Sequence, residues 1–197
     1  MTYHGPKVRL SRRMGVALTP KAAKIMERRS APPGQHGAAR KSEESDYKKQ
    51  LNQKQLLRYQ YDIREKQMRR YYQMALKSRG NSAERLLQLL ESRLDAIVLR
   101  AGFAPTIYAA RQYVSHGHIT VNGKPINISS YLVKVGDEVA VREKSKKLNV
   151  FQELGPSPVS YLDVAPQELK IKLLRHPQAV EVPIICEVSR VIEFYSR

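Results

Sequence analysis

The sequence predicts an α+β protein with a basic N-terminal extension, and three features support this. Apolar residues recur at helical spacing in several stretches between residues 46 and 115. Two short alternating stretches then flank Asn122-Gly123, a dipeptide typical of the two-residue turn of a β-hairpin. Lys and Arg outnumber Asp and Glu by 35 to 18, which gives a formal net charge of +17. Such a charge indicates a polyanionic partner, and nucleic acid is the first candidate.

The positive charge is concentrated in the first half of the chain. Residues 1–45 carry ten Lys or Arg against three Asp or Glu, and residues 46–80 carry the same numbers, whereas residues 151–197 carry five against six. Residues 1–45 also contain few large apolar side chains, so we expect a basic extension without a core of its own. Ordered RNA contact is favoured for it over a solvated, disordered tail.

Two helices are expected after this extension. The first begins at Asp46 with Ser45 as its N-cap, and Tyr47, Leu51 and Leu57 are expected to face inward. The second begins at Asp62, which has capping-box spacing to Glu65, and ends before Gly80. Its apolar face is predicted to consist of Met68, Tyr71, Tyr72 and Ala75. Tyrosines at this spacing are more often core residues than platforms for RNA bases.

A longer helix is predicted from Asn81 to a stop at Gly102, because a leucine-rich stripe runs through it. Arg93 is expected to lie off this stripe, and Asp95 is expected to form an ion pair or a helix-end contact rather than to act in catalysis. A short helix capped by Thr106 should follow, and then the hairpin. Further strands are expected at residues 131–133 and 138–142, which completes a small antiparallel sheet.

The C-terminal part is nearly neutral and is expected to pack on protein. Residues 144–147 are predicted to form a basic linker, residues 155–158 a boundary or a loop, residues 160–164 and 180–184 short strands, and residues 185–195 a helix. The single cysteine, Cys186, fits a buried small side chain in a reducing compartment.

No motif for catalysis is recognisable. The sequence lacks a phosphate-binding glycine loop with its lysine, a nucleophile elbow and a zinc-binding helix. His116 and His118 flank Gly117, but no cysteine or nearby carboxylate completes a metal site. No apolar run is long enough to cross a membrane, and no signal peptide is evident. We therefore expect a cytosolic protein that is not an enzyme and needs no metal, cofactor, small-molecule substrate or membrane.

Ordered motifs along the whole chain resemble the small-subunit ribosomal protein S-four family of bacteria and organelles. They include Gly5-Pro6-Lys7, Pro33-Gly34-Gln35-His36-Gly37, the Leu-Leu-Glu-x-Arg-Leu-Asp run that ends at Asp95, and Val121-Asn122-Gly123. Residues 84–142 resemble the RNA-binding module named after this family, which recurs in some pseudouridine synthases and tyrosyl-tRNA synthetases. Some family members hold zinc with four cysteines in the extension, and residues 1–45 have none.

The resemblance implies a helical domain with the α+β module inserted into it. The expected divisions are an extension at 1–45, a helical domain at 46–80 completed by about 165–197, and a module with its linker at 81–164. It also implies a ribosomal protein that binds the five-prime domain of small-subunit ribosomal RNA early in assembly, near ribosomal protein S-five, with an influence on decoding accuracy. Some relatives bind their own messenger RNA.

Contacts to phosphate are expected to provide most of the affinity, and the shape of the module should select a folded RNA junction. The residues expected to contact RNA are Lys7, Arg12, Arg13, Arg69, Arg70, Arg93, Arg111, Gln112, His116 and Lys124. Two alternatives remain open: an accessory of an RNA-modifying enzyme, and a free RNA chaperone or translational repressor. Sedimentation with small ribosomal subunits would distinguish a ribosomal protein from a free one.

Overall fold

A computed structural model describes residues 3, 5–39, 43–152, 155 and 159–197. These residues form eight α-helices and a five-stranded sheet, so the predicted α+β class is confirmed. The helices are α1 (Lys7–Met14), α2 (Pro20–Arg28), α3 (Asp46–Gln60), α4 (Glu65–Leu76), α5 (Ser82–Glu91), α6 (Leu94–Arg100), α7 (Ile107–Ser115) and α8 (Val188–Ser196). The strands are β1 (Ile119–Val121), β2 (Lys124–Pro125), β3 (Glu138–Val141), β4 (Leu162–Ala165) and β5 (Lys170–Leu173).

The chain divides into two compact units. The helical unit contains the described residues as far as Ala83 together with Ile184–Arg197, and the sheet unit contains Glu84–Pro183. The second boundary lies at Pro183 rather than near residue 165, because β5 pairs with both β3 and β4. Most of the boundary predicted at 155–158 lies outside the described residues. Within the described residues, no helix combines the length and apolar character needed to cross a bilayer.

The first two helices were not predicted. The hydroxyl of Thr19 accepts a hydrogen bond from the Ala22 amide at 3.2 Å, and Pro20 occupies the first turn, where its missing N–H costs nothing. Helix α1 packs against α2, and its buried Leu10 gives the extension a small apolar contact. These helices were not recognised in the sequence because so few of their side chains are large and apolar.

Helix α3 begins as predicted, but α4 does not. Ser45 Oγ accepts the Lys48 amide at 3.4 Å, which confirms the cap, whereas Tyr47 is 52% exposed and not inward-facing. Asp62 has a positive φ of 47° and lies before α4, whose N-cap is Arg64 without a side-chain bond. The predicted capping box was therefore wrong. The predicted apolar face is buried as expected and consists of Met68, Tyr71, Tyr72 and Ala75.

Helix α8 packs against α3 and completes the helical unit. The Lys54 ammonium donates to Glu65 at 3.0 Å and lies 4.4 Å from the ring centroid of Phe194, while Tyr195 Oη donates to Glu65 at 2.7 Å. Burial opposes the ionisation of Glu65, but these hydrogen bonds outweigh burial and lower its pKa. Cys186 is half-buried rather than buried, and burial raises the pKa of its thiol to about 12.

The sheet has the strand order β2-β1-β3-β5-β4, and all neighbouring strands are antiparallel. The buried side chains of β1, β3 and β5 pack with α6 and α7 in one apolar core. The strand predicted at 160–164 corresponds to β4. The strand predicted at 180–184 was wrong, because Ala179–Glu181 forms a 3-10 turn instead, and β5 was missed.

Candidate RNA-binding surfaces

The long helix predicted from Asn81 is broken at Ser92 and Arg93. The Val133 amide donates to the Ser92 carbonyl at 2.8 Å, and the Leu94 amide donates to the Tyr131 carbonyl at 2.9 Å. Residues 131–133, predicted as a strand, contribute only an isolated bridge between Leu132 and Arg93. The backbone of α5 and α6 thus gives up two helical hydrogen bonds and pairs with a distant segment, which local sequence patterns do not reveal.

Arg93 is completely buried, so the expectation that it lies off the apolar stripe was wrong. Its Nε donates to Asp95 Oδ1 at 2.9 Å, and a second guanidinium N–H donates to Asp95 Oδ2. The Ala96 amide adds a hydrogen bond to the same carboxylate at 3.0 Å. Burial raises the pKa of Asp95, and the guanidinium of Arg93 opposes that rise. The ion pair expected for Asp95 is confirmed, and Arg93 does not belong to an exposed RNA-binding surface.

A second buried carboxylate stabilises the same part of the sheet unit. Glu91 is 1% exposed and accepts hydrogen bonds from the Arg100 guanidinium, the shortest at 2.8 Å. Tyr161 Oη donates to it at 2.7 Å. Burial and this neighbouring carboxylate raise the pKa of Tyr161, which therefore stays protonated and donating. The helix break is held on both sides by charged pairs that are hydrogen-bonded within the protein.

Helix α7 presents the polar residues that the sequence assigned to RNA. Thr106 caps it as predicted, and Val114 is buried. Gln112 is exposed, and Arg111 is half-exposed and close enough for its charge to lower the pKa of Asp95, opposing the larger effect of burial. The charge of Arg111 on α7 therefore acts on the buried pair of Arg93 and Asp95.

The hairpin forms with the predicted turn, because Asn122 and Gly123 both have positive φ values, 49° and 77°. Asn122 also fixes the neighbouring turn: its Nδ2 donates to Asp137 at 2.9 Å and its Oδ1 accepts the Glu138 amide at 3.0 Å. Lys124 follows the turn and is exposed on β2. The turn is thus rigidly held, and it carries one cation at its tip.

The two histidines before the hairpin have different environments. The rings of His116 and His118 are 5.9 Å apart, but His118 Nδ1 lies 2.9 Å from the Ser145 hydroxyl, whereas His116 is exposed. No group of three or more His, Cys, Asp or Glu side chains suited to a metal ion occurs in the described part of the chain. His116 therefore belongs with the exposed polar residues of α7.

The remaining predicted contacts lie in the helical unit. Arg69 and Arg70 are exposed on α4, opposite its buried face. On α1, Arg13 is exposed, whereas Arg12 Nε donates to the Ala31 carbonyl at 3.0 Å. Lys7 lies above the ring of Tyr3 and donates to its carbonyl. Among the described residues, no carboxylate forms an ion pair with Arg69, Arg70 or Arg13.

Arg9 was missed by the sequence reasoning. It is exposed and lines, with Arg13, a cleft of about 470 Å³ on α1. The signal was the spacing of four residues between them, which places both on one side of a helix. That signal could be used only once α1 was known to be a helix.

Comparison with known proteins identifies the family. The Ribosomal protein S4/S9 N-terminal domain matches residues 2–91, and the S4 domain matches residues 92–139. The "Small ribosomal subunit protein uS4" of Micrococcus luteus is 50% identical over 198 residues, which cover 96% of this chain and 95% of the relative. The protein of the same name from Thermobifida fusca is 47% identical over the full length of both chains. The chain belongs to the uS4 family.

Membership of the uS4 family makes the chain a structural, non-enzymatic constituent of the small ribosomal subunit that binds ribosomal RNA. The family and the class of function predicted from the sequence are thereby confirmed. The two uS4 domain matches meet between residues 91 and 92, which is where α5 ends and the buried ion pairs of the sheet unit begin.

Proposed function

We propose that the chain binds the five-prime domain of small-subunit ribosomal RNA directly and nucleates its assembly. The observation that carries this proposal is the set of exposed arginines in the helical unit, Arg13, Arg69 and Arg70, which have no carboxylate partner among the described residues. These arginines hold positive charge at fixed positions on helices. Such an arrangement suits the binding of a folded polyanion, since phosphate contacts dominate the affinity of these complexes.

In this proposal the sheet unit selects the shape of the RNA. Arg111, Gln112 and His116 are arranged on and after one helix, and Lys124 lies at the tip of the hairpin. The pair of Arg93 and Asp95 acts from the interior by fixing the helix break between α5 and α6. A rigid surface with few cations is suited to recognising a junction of RNA helices rather than a base sequence.

The salt dependence of binding tests this proposal. If about eight phosphates are neutralised, the slope of log K against log salt is about −6 to −7 for an RNA transcript of the five-prime domain. Filter binding with the full chain at several potassium chloride concentrations measures it. A slope near zero would contradict the electrostatic account, and equal affinity for a transcript of an unrelated structured RNA would contradict recognition of the junction.

We also infer that ribosomal protein S-five is a neighbour of this chain and that their interface influences decoding accuracy. Support for this comes from the family resemblance. Cross-linking of purified small subunits followed by mass spectrometry tests the contact, and a reporter of misreading tests the effect on accuracy. Binding to its own messenger RNA stays a prediction.

A further inference from the structure

We propose that the cleft on α1 binds one unpaired nucleotide of the RNA, with the base inside the cleft and its phosphate at the rim. The inference rests on the proposed RNA-binding function and adds a defined site to it. The cleft has a volume of about 470 Å³, within the range of about 300–1,000 Å³ that small-molecule sites occupy. The described residues that line it are Tyr3, Arg9, Leu10, Arg13, Pro32 and Pro33.

The chemistry of this lining matches a nucleotide in two ways. A tyrosine ring, two prolines and the buried Leu10 provide apolar surfaces, and single-stranded bases are recognised by stacking on such surfaces. Among the described residues, the lining adds two exposed arginines and no acidic residue, so an anion is favoured at the rim. An apolar peptide would leave both guanidinium groups without a partner.

The walls of the cleft are built by close backbone contacts rather than by mobile side chains alone. A Cβ atom on Gly37 would lie 2.0 Å from the Pro32 carbonyl oxygen, so only glycine permits this fold of the loop. The Tyr3 side chain packs closely on Gly5. The bond from Arg12 to Ala31 joins α1 to the same loop. The loop that carries Pro32 and Pro33 is thus held against α1.

Two substitutions of Tyr3 separate stacking from general electrostatics. Tyr3→Ala removes the ring, and Tyr3→Phe keeps it. Binding of the full chain to a transcript of the five-prime domain of Micrococcus luteus small-subunit ribosomal RNA is measured by filter binding. Loss of one stacked base should weaken binding about 5- to 150-fold in Tyr3→Ala, and Tyr3→Phe should bind like the original chain. Circular dichroism checks that the helices are retained.

Chemical probing of the bound transcript identifies the nucleotide. A single base should be protected from dimethyl sulfate or from a 2′-hydroxyl reagent by the original chain and by Tyr3→Phe, and should regain reactivity with Tyr3→Ala and with Arg13→Ala. Lys24→Ala serves as the matched control, because it removes one exposed cation from α2 outside the cleft. It should leave that protection in place.

Three other outcomes would contradict the proposal at different levels. Unchanged affinity and an unchanged probing pattern with Tyr3→Ala would overturn the nucleotide site and leave the proposed RNA-binding function standing. Equal weakening by Tyr3→Phe and Tyr3→Ala would overturn stacking as the basis of the site. Failure of the original chain to bind the transcript would overturn the proposed function, and the site with it.

Discussion

The two units of the molecule use arginine in opposite ways. In the sheet unit, Arg93 is completely buried and its guanidinium is matched to the carboxylate of Asp95. In the helical unit, Arg69 and Arg70 are exposed, and no described carboxylate forms an ion pair with either. Residue type alone does not separate the two roles, since all three lie in stretches that the sequence predicts to be helical in a basic chain. Burial and pairing separate an arginine that stabilises the fold from one that is available to phosphate.

The largest expected effect is on the stability of the sheet unit. Asp95→Asn removes the ionised carboxylate that pairs with the buried Arg93 guanidinium, and breaking a buried pair in this way costs about 3–5 kcal/mol of unfolding free energy. Urea unfolding followed by circular dichroism measures the loss. Asp163→Asn is the matched control, because Asp163 is exposed on β4, and it should change stability by less than about 0.5 kcal/mol. A loss below about 1 kcal/mol for Asp95→Asn would contradict the structural role of the pair.

In the helical unit, substitutions of exposed arginines should change the salt dependence of RNA binding rather than the stability. Replacing Arg69 and Arg70 together by alanine removes two phosphate contacts, so the slope of log K against log salt becomes shallower by about 1.4–1.8. Stability should hardly change. The same double replacement at Lys170 and Lys172, on the sheet, should leave the slope as it was. If the variant at Lys170 and Lys172 alters the slope and the variant at Arg69 and Arg70 does not, α4 is not the surface that contacts phosphate.

A smaller effect is expected where α8 closes the helical unit. Tyr195→Phe removes the hydrogen bond to Glu65, at a cost of about 1–2 kcal/mol. Because the folded-state pKa of Glu65 lies below its usual value of 4.5, its contribution to stability is present above that pH and is lost as the pH falls. Urea unfolding at pH 7 and pH 3 should therefore show a smaller difference between the two proteins at the lower pH. An equal difference in unfolding free energy at pH 7 and pH 3 would show that the hydrogen bond does not depend on the ionised form of Glu65.

The smallest effect concerns Glu181, a half-buried carboxylate in the sheet unit. Hydrogen bonds from Arg175, the Gln178 amide and Ser160 lower the pKa of Glu181 to about 2. Its contribution to stability is complete above the unfolded value of 4.5 and is lost as the pH falls towards 2. An NMR titration of the Glu181 carboxyl should show this midpoint, and Arg175→Ala should move it back towards 4.5. A midpoint that does not move would show that Arg175 is not the main cause.

The sequence correctly predicted helix caps and the hairpin turn, because interactions between neighbouring residues determine both. Ser45 and Thr106 cap helices as expected because their hydroxyl groups need only the next turn of backbone, and Asn122-Gly123 adopts positive φ values within its own turn. The family could be recognised because its motifs are spread over the whole chain. The residue-level predictions for RNA contact stay predictions, except that burial removes Arg93 from an exposed surface.

Contacts between distant segments decided the features that the sequence did not reveal. The helix break at Arg93 depends on residues 131–133, and the role of β5 depends on two partner strands. The alternation of Lys170, Ile171, Lys172 and Leu173 was a readable strand signal, but the stretch is short. Helices α1 and α2 are short and contain few large apolar side chains, so their amphipathic spacing was hard to recognise in the sequence.

The packing of α8 on α3 also sets an order of events during synthesis of the chain. Helix α3 ends at residue 60, and α8 begins at residue 188, so the whole sheet unit is translated between them. The helical unit can complete its core only when α8 has left the exit tunnel, whereas the sheet unit has all its strands by residue 173. A chain that lost its final ten residues would retain its exposed arginines and its sheet but would present the bare face of α3 to solvent.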